Sequence, residues 1–364
     1  MTSSASRGAI STELKFLIAC CQLNFRSSVA DTLPAVVGLD WNKFARLAAF
    51  HRVEGLAYRA LSSTKGASLP SVFNGFSAAA EAIAIKNLRS AAECKRILAE
   101  FQAENIPVQF LKGLAVGALA YHVPFAKSAV DTDILIDAPD LALAASLLGA
   151  AGYRLVIPHR STLAAWHARS KESVWVNESK GFQLDLHTRT ADNPALIASI
   201  DVHSAKQWVL VAPGIELPTL AMDELIAYLA VHGASSAWFR LKWISDFAAL
   251  LDGLDEKQIE SRYARTQELS AGRASGQALI VADRLFGTLA DCHHLRNALL
   301  NDRATRRLAN IALRLLTREP AEPTASLLGT ASIHYSQILL LRGLRLKFFE
   351  VSAQARRLID RARI

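Results

Sequence analysis

At 364 residues, with 51% hydrophobic and 20% charged side chains, the chain is long enough for two or three buried cores and too apolar for a disordered protein. Its four cysteines, Cys20, Cys21, Cys94 and Cys292, are too few and too irregularly spaced for a disulfide framework or a zinc site, so a reducing cytoplasm is expected. A net charge of +8 favours polyanions or phosphorylated small molecules as partners. No apolar run reaches the roughly 18 to 20 residues that span a bilayer, and the run at 16–23 lacks a cleavage pattern, so a soluble protein without membrane attachment is expected.

Residues 1–105 read as helical. Apolar spacing of three and four predicts helices over 13–26, 41–53 and 78–103, and Ser, Gly and Pro break the block at 62–70. From 106 the pattern alternates: a strand at 106–111, a helix at 113–121, a strand at 130–136 and a helix at 141–151 ending at Gly152. Short strands follow at 153–157, 173–176, 182–187 and 207–211. Helical spacing returns at 222–232, 237–251, 256–266, 274–286 and 304–316, with a break at 319–323 and a last long helix from Ile333. These elements predict an α+β fold, a small mixed β-sheet core flanked by N- and C-terminal helical segments, divided into regions 1–105, 106–216 and 217–364. Arg342, Arg345, Lys347, Arg356, Arg357, Arg361 and Arg363 suit a solvated basic helix better than a nucleic-acid tract, since the aromatics there are confined to Phe348 and Phe349.

The chemistry lies in the middle region. Asp131 and Asp133 stand two apart, so both point to one face of a strand while Val130, Thr132, Ile134 and Ile136 point to the other. Asp185 alternates in the same way on the strand 182–187, which can bring a third carboxylate to the same edge. Acids gathered on one face of an apolar strand repel each other unless cations compensate, and two Mg²⁺ would do so. Asp137 suits the cap of a helix starting near Pro139. Lys112-Gly113 ends one strand and opens a helix, where a glycine admits close approach, the helix N-terminus favours phosphate and Lys112 adds a charge. His187 shares the face of Asp185; orienting a phosphate, orienting Asp185 and a satisfied strand-end histidine all fit it. Cys292-His293-His294 reads as a helix start, because adjacent side chains diverge. His51, His159 and His167 show no partner in the sequence. His232 and Asp246, with Arg240 and Lys242 between them, suit a buried polar tie between helices, and Trp238 and Trp243 suit a core. Neither a Gly-x-Ser-x-Gly elbow nor a Gly-x-x-x-x-Gly-Lys-Ser/Thr loop is present.

Together, Leu111-Lys112-Gly113, Tyr121-His-Val-Pro124, Lys127, Asp131-Thr-Asp133-Ile-Leu135 and Asp185-Leu-His187 resemble the DNA polymerase β superfamily of nucleotidyltransferases, and within it an uncharacterised bacterial family. The likeness runs on through 149–154 into Val231-His-Gly233 and the segment from Trp238 to Asp246. It implies transfer of a nucleoside monophosphate from an NTP to an acceptor hydroxyl, with release of pyrophosphate and with Mg²⁺, or Mn²⁺ in its place, as cofactor. By that resemblance Asp131 and Asp133 hold both metals and Asp185 the catalytic one, while Lys112, Gly113, Lys127 and His187 bind the nucleotide. Three positions depart from the family pattern: Thr132 replaces an aliphatic residue, Lys127 an arginine and Thr188 a tryptophan. Lysine in place of arginine loses a bidentate fork, which loosens any phosphate contact at Lys127. The acceptor stays open among a sugar, a small molecule, a peptide and an RNA end. The alternative is a non-catalytic module of the same fold that binds RNA, a phosphorylated ligand or a protein partner.

Overall fold

The computed structural model describes residues 10–26, 33–34, 38–63, 72–123, 125–128, 131–158, 161–318, 322–343, 346–348, 350–352 and 354. The sequence readings at Pro124, Val130, His159, Phe349, Arg345, Arg356, Arg357, Arg361 and Arg363, at 64–70 and at 319–321 lie outside the described residues. The strands are β1 (Gln109–Phe110), β2 (Thr132–Leu135), β3 (Arg154–Ile157), β4 (Glu172–Asn177), β5 (Phe182–His187), β6 (Lys206–Ala212) and β7 (Ile215–Leu220). The first seven helices are α1 (Thr12–Leu23), α2 (Trp41–His51), α3 (Glu54–Ser63), α4 (Val72–Ala103), α5 (Leu114–Tyr121), α6 (Leu141–Ala150) and α7 (Leu163–His167). The others are α8 (Met222–Ser235), α9 (Leu241–Ala249), α10 (Glu256–Glu268), α11 (Ala274–Phe286), α12 (His293–Asn301), α13 (Arg303–Leu316) and α14 (Leu327–Leu340). The α+β class read from the sequence holds. The chain divides into two units, one of residues 80–231 and 261–271, the other of 1–79, 232–260 and 272–364.

The first unit contains a five-stranded sheet in the order β1-β2-β5-β4-β3 and a β6–β7 hairpin. Only β2 and β5 run parallel; the remaining pairs are antiparallel. Alternation fixes the two faces. Ile134, Phe182, Leu184, Leu186 and Trp175 are buried together with Cys94, Ile97, Leu98 and Phe101 of α4 and Leu141, Ala144 and Leu148 of α6. Each fully buried Leu, Ile or Phe of the set contributes about 1.5–3 kcal/mol, and a one-residue slip of a strand would turn its members toward the other face. Thr132 belongs to this side, its Oγ1 lying 3.9 Å from Cys94 Sγ. Glu93 of α4 ties the sheet's far end to this helix: it accepts from the Tyr153 hydroxyl at 2.7 Å, from Lys180 Nζ at 2.8 Å and from Arg96 Nη2 at 2.6 Å.

The other unit is helical. In it α1 packs on α2, α3 and α9, and α11 on α9 and α13. The expected helix at 237–251 begins only at Leu241, because Ala237 and Trp238 take φ of +49° and +53° and form a turn. Trp238 is fully buried, and a Cβ added to Gly233 would lie 2.4 Å from its ring, so Gly233 is what lets the indole lie flat on α8. Arg240 places its guanidinium 5.1 Å from the ring centres of both Phe50 and Phe239 and pairs with Glu322, while His232 meets Trp243 edge to face. The sequence reading missed β7 and α7. Pro218 disguises β7, which the two-stranded hairpin tolerates, and α7 is too short to show a period. Helix α14 starts at Leu327, earlier than expected, with Ser326 accepting from Gly329 N–H at its cap. Cys292 precedes α12 as its cap residue, as its sequence context suggests. Among the described residues, no helix is long and apolar enough to cross a membrane.

Candidate active site

The register of β2 against β5 sets Asp133 beside Asp185, and Asp131 stands one residue before β2. Each of the three offers a carboxylate oxygen, and these oxygens lie within 4.8 Å of one another. Asp133 and Asp185 are buried and Asp131 is half-buried. The backbone N–H of Leu111 donates to the Asp133 carbonyl at 3.1 Å, which carries the end of β1, and with it Lys112, to the same place.

Lys112 Nζ lies 2.9 Å from Asp133 Oδ1 and 3.9 Å from Asp131 Oδ2. Gly113 turns the chain into α5 with φ +74° and ψ −117°, a backbone that side-chain-bearing residues avoid, and α5 has no side-chain cap. His187 Nε2 lies 2.9 Å from Asp133 Oδ1 and 3.3 Å from Glu172 Oε2. Ionised carboxylates only accept, so Nε2 carries the proton and is shared between the two. The histidine thus orients Asp133 and Glu172, not Asp185. Asp185 Oδ1 instead accepts from Gln183 Nε2 at 3.1 Å. Lys127 is buried, and its carbonyl accepts from Asn87 Nδ2 at 2.7 Å. Asp137 caps the short turn at Ala138, accepting from its N–H at 2.8 Å. Of the histidines without a sequence partner, His51 accepts from Leu241 N–H, and His167 sits between Thr188 Oγ1 and Ser173 Oγ.

Neighbouring carboxylates are driven in opposite directions. Burial pushes Asp185 up to about 7, helped by the charges of Asp133, Asp131 and Glu172. Burial acts the same way on Asp133, but the Lys112 ammonium and the His187 hydrogen bond outweigh it and hold this carboxyl far below the usual range. His187 and Lys171 likewise overcome the burial of Glu172 and lower it. Lys112 is held protonated against its burial chiefly by Asp133. Asp133 Oδ2 is buried and has no hydrogen-bond partner among the described residues, a deficit that costs about 1–3 kcal/mol unless something else supplies a positive partner. An all-oxygen donor set with one unsatisfied buried oxygen fits a hard divalent cation of the Mg²⁺ or Mn²⁺ kind.

The model of a family described as uncharacterised nucleotidyltransferase matches residues 38–287. The chain belongs to this nucleotidyltransferase family. A search of curated proteins found no match. Membership of the nucleotidyltransferase family points to an NTP as substrate, and the clustered acids can bind a metal.

Four residues of this nucleotidyltransferase stand at the cluster without having been singled out in the sequence: Glu172, Lys171, Gln183 and Tyr228. Glu172 forms a second possible ligand group with Asp133 and His187. Its signal was available. It alternates with Val174 and Val176, and the β4–β5 hairpin pairs it with His187. Tyr228, on α8, is buried, and burial together with the nearby Asp133 carboxylate pushes its phenol well up, a proximity that no local pattern announces.

Proposed function

We propose that this nucleotidyltransferase is of the polymerase β-like, two-metal type and moves a nucleoside monophosphate from an NTP to an acceptor hydroxyl, releasing pyrophosphate. The convergence of Asp131, Asp133 and Asp185 carries the proposal. Asp131 and Asp133 would hold both Mg²⁺ ions and Asp185 the catalytic one. Bound there, the ions supply neutralisation of the triphosphate charge and acidification of the attacking hydroxyl. The chain's own groups do the rest. His187 and Lys112 keep Asp133 ionised and fix its orientation, and Gln183 fixes Asp185. Asp185, as ligand of the catalytic ion, would help deprotonate the acceptor hydroxyl. The uncapped N–H groups opening α5 after Gly113 suit phosphate oxygens, with Lys112 next to them in the chain, and Lys127 would add a looser phosphate contact. Residues 106–216 form the catalytic core in this reading, and the setting is cytoplasmic.

The test is pyrophosphate release with each NTP, comparing wild type with Asp131→Ala and Asp185→Ala. Turnover should fall to background in both variants; retained turnover in either removes the mechanism. The Lys112–Asp133 pair, which neutralises the central acid from within the chain, favours a second reading as a binding module. Salt-sensitive RNA retention surviving both substitutions would support that reading.

A further inference from the structure

Helices α12, α13 and α14 contain no aspartate or glutamate, and α13 gathers all its arginines on one face. At about 3.6 residues per turn, Arg303, Arg306, Arg307 and Arg314 fall within an arc of roughly 100°, with Asn310 among them. These five side chains are exposed, while Leu308, Ala309, Ala312, Leu315 and Leu316 on the opposite side are buried where α13 packs on α11 and α14. The acids flanking these helices in the chain are engaged elsewhere: Asp302 pairs with Arg273 at 3.2 Å and Glu322 with Arg240. Arg296 of α12 is taken by Asp283 at 2.8 Å. Among the described residues, none of the four arginines of α13 meets a carboxylate within ion-pair distance. Like charges three and four residues apart repel, so the row lacks an internal remedy. Each guanidinium presents a planar fork that takes two phosphate oxygens. From Arg303 to Arg314 the row runs about 16 Å, too long for one phosphate and suited to a chain of them. A lipid surface calls for apolar side chains between the charges, and the exposed residue between these is Asn310. Arg307 also sets its guanidinium 4.9 Å from the ring centre of Tyr335 on α14, which is 36% exposed. An open aromatic ring beside a row of cations suits unpaired bases better than an acidic peptide. Asn310, able to donate and to accept, can answer a ribose 2′-hydroxyl.

We propose that the exposed face of α13 binds single-stranded RNA, with Arg303, Arg306 and Arg314 holding phosphates along the strand and Tyr335, steadied by Arg307, stacking a base. None of the three clustered carboxylates takes part, so such a face serves a transferase and a binding module alike.

Fluorescence anisotropy of a labelled short oligouridylate, titrated with the full-length protein at several salt concentrations, tests it. The triple variant Arg303→Gln/Arg306→Gln/Arg314→Gln should bind more weakly and flatten the slope of log K against log salt by about 2, the loss of three single-strand phosphate contacts at about 0.7 each. The matching triple lysine variant keeps the charges and should keep the slope; a slope lost there as well marks structural damage and overturns the proposal. Tyr335→Leu should weaken binding about 10-fold with the slope unchanged, the effect of one lost stacked base. An unchanged slope in the glutamine variant overturns the proposal, as does polyglutamate or phosphatidylglycerol vesicles bound as tightly as the oligouridylate. Equal affinity for an oligothymidylate of the same length overturns the assignment to RNA. Oligouridylate retained by Asp131→Ala and Asp185→Ala but released by the glutamine variant is held on α13. Retained by all three, it overturns this face and supports the binding module, while pyrophosphate release by wild type decides nucleotidyl transfer separately.

Discussion

Asp133 is the residue on which the cluster turns, because one of its oxygens is shared by Lys112 and His187 while the other is left without a partner. Such a group is stable only while its cation is present. Lys112→Met should therefore destabilise the fold by about 3 kcal/mol in EDTA, the lower end for breaking a buried ion pair by removing one partner. Mg²⁺ should restore much of that loss in urea unfolding; a variant as stable as wild type in EDTA would show that Lys112 is not the balancing charge. His187→Leu removes the proton that Asp133 and Glu172 share and leaves a buried and a half-buried carboxylate face to face. A larger loss of stability in EDTA for His187→Leu than for the double variant His187→Leu/Glu172→Leu is the expected signature, readable from urea midpoints. At this scale the three acids and the lysine were legible because period-two alternation is a local property. Glu172 and Gln183 needed the hairpin register as well.

At the scale of elements, the turn from β1 into α5 and the tie between α4 and the β4–β5 turn are the sensitive points. Gly113→Ala places a Cβ on a backbone with φ +74° and should cost about 1–3 kcal/mol while also lowering nucleotide affinity, measurable by unfolding and calorimetry. Glu93 resists the effect of its burial because Arg96, Lys180 and Tyr153 all donate to it, and it is lowered from 4.5 to about 2. The sign follows directly: its contribution is complete above pH 4.5 and fades as pH falls toward 2. Glu93→Gln should be less stable than wild type at pH 7, with the gap narrowing below pH 4.5; a gap that stays constant to pH 3 would refute the assignment. The helix α4 was plain from its apolar spacing. Its partner at Lys180 was not, because the two are far apart in sequence and meet only once the hairpin packs.

Over the whole molecule, each unit buries a histidine that must stay neutral. Burial, with the charge of Arg240, lowers His51 from 6.5 to about 3; burial, with His187 and Arg189, lowers His167 from 6.5 to about 4. The unfolded chain takes up these two protons first while Asp185, raised to about 7, takes one up in the fold, so net stability should still decline as pH falls from 6.5 toward 4. Urea unfolding at pH 7, 5.5 and 4.5 would measure the slope, and a flat profile would contradict it. The division into two units was not visible along the chain. It cuts α4, α8 and α10, whose apolar spacing runs on without a break.

The amino-acid sequence alone determined the α+β class, the positions of most helices and the shared face of Asp131 and Asp133, since each depends on neighbours three or four residues away at most. It also marked Lys112-Gly113 as a turn into a helix. Only the tertiary structure decided that Asp185 stands in register with Asp133 and that His187 serves Asp133 and Glu172. Those outcomes depend on which strands pair and on which charges burial forces together, and neither is written in any local stretch of the chain.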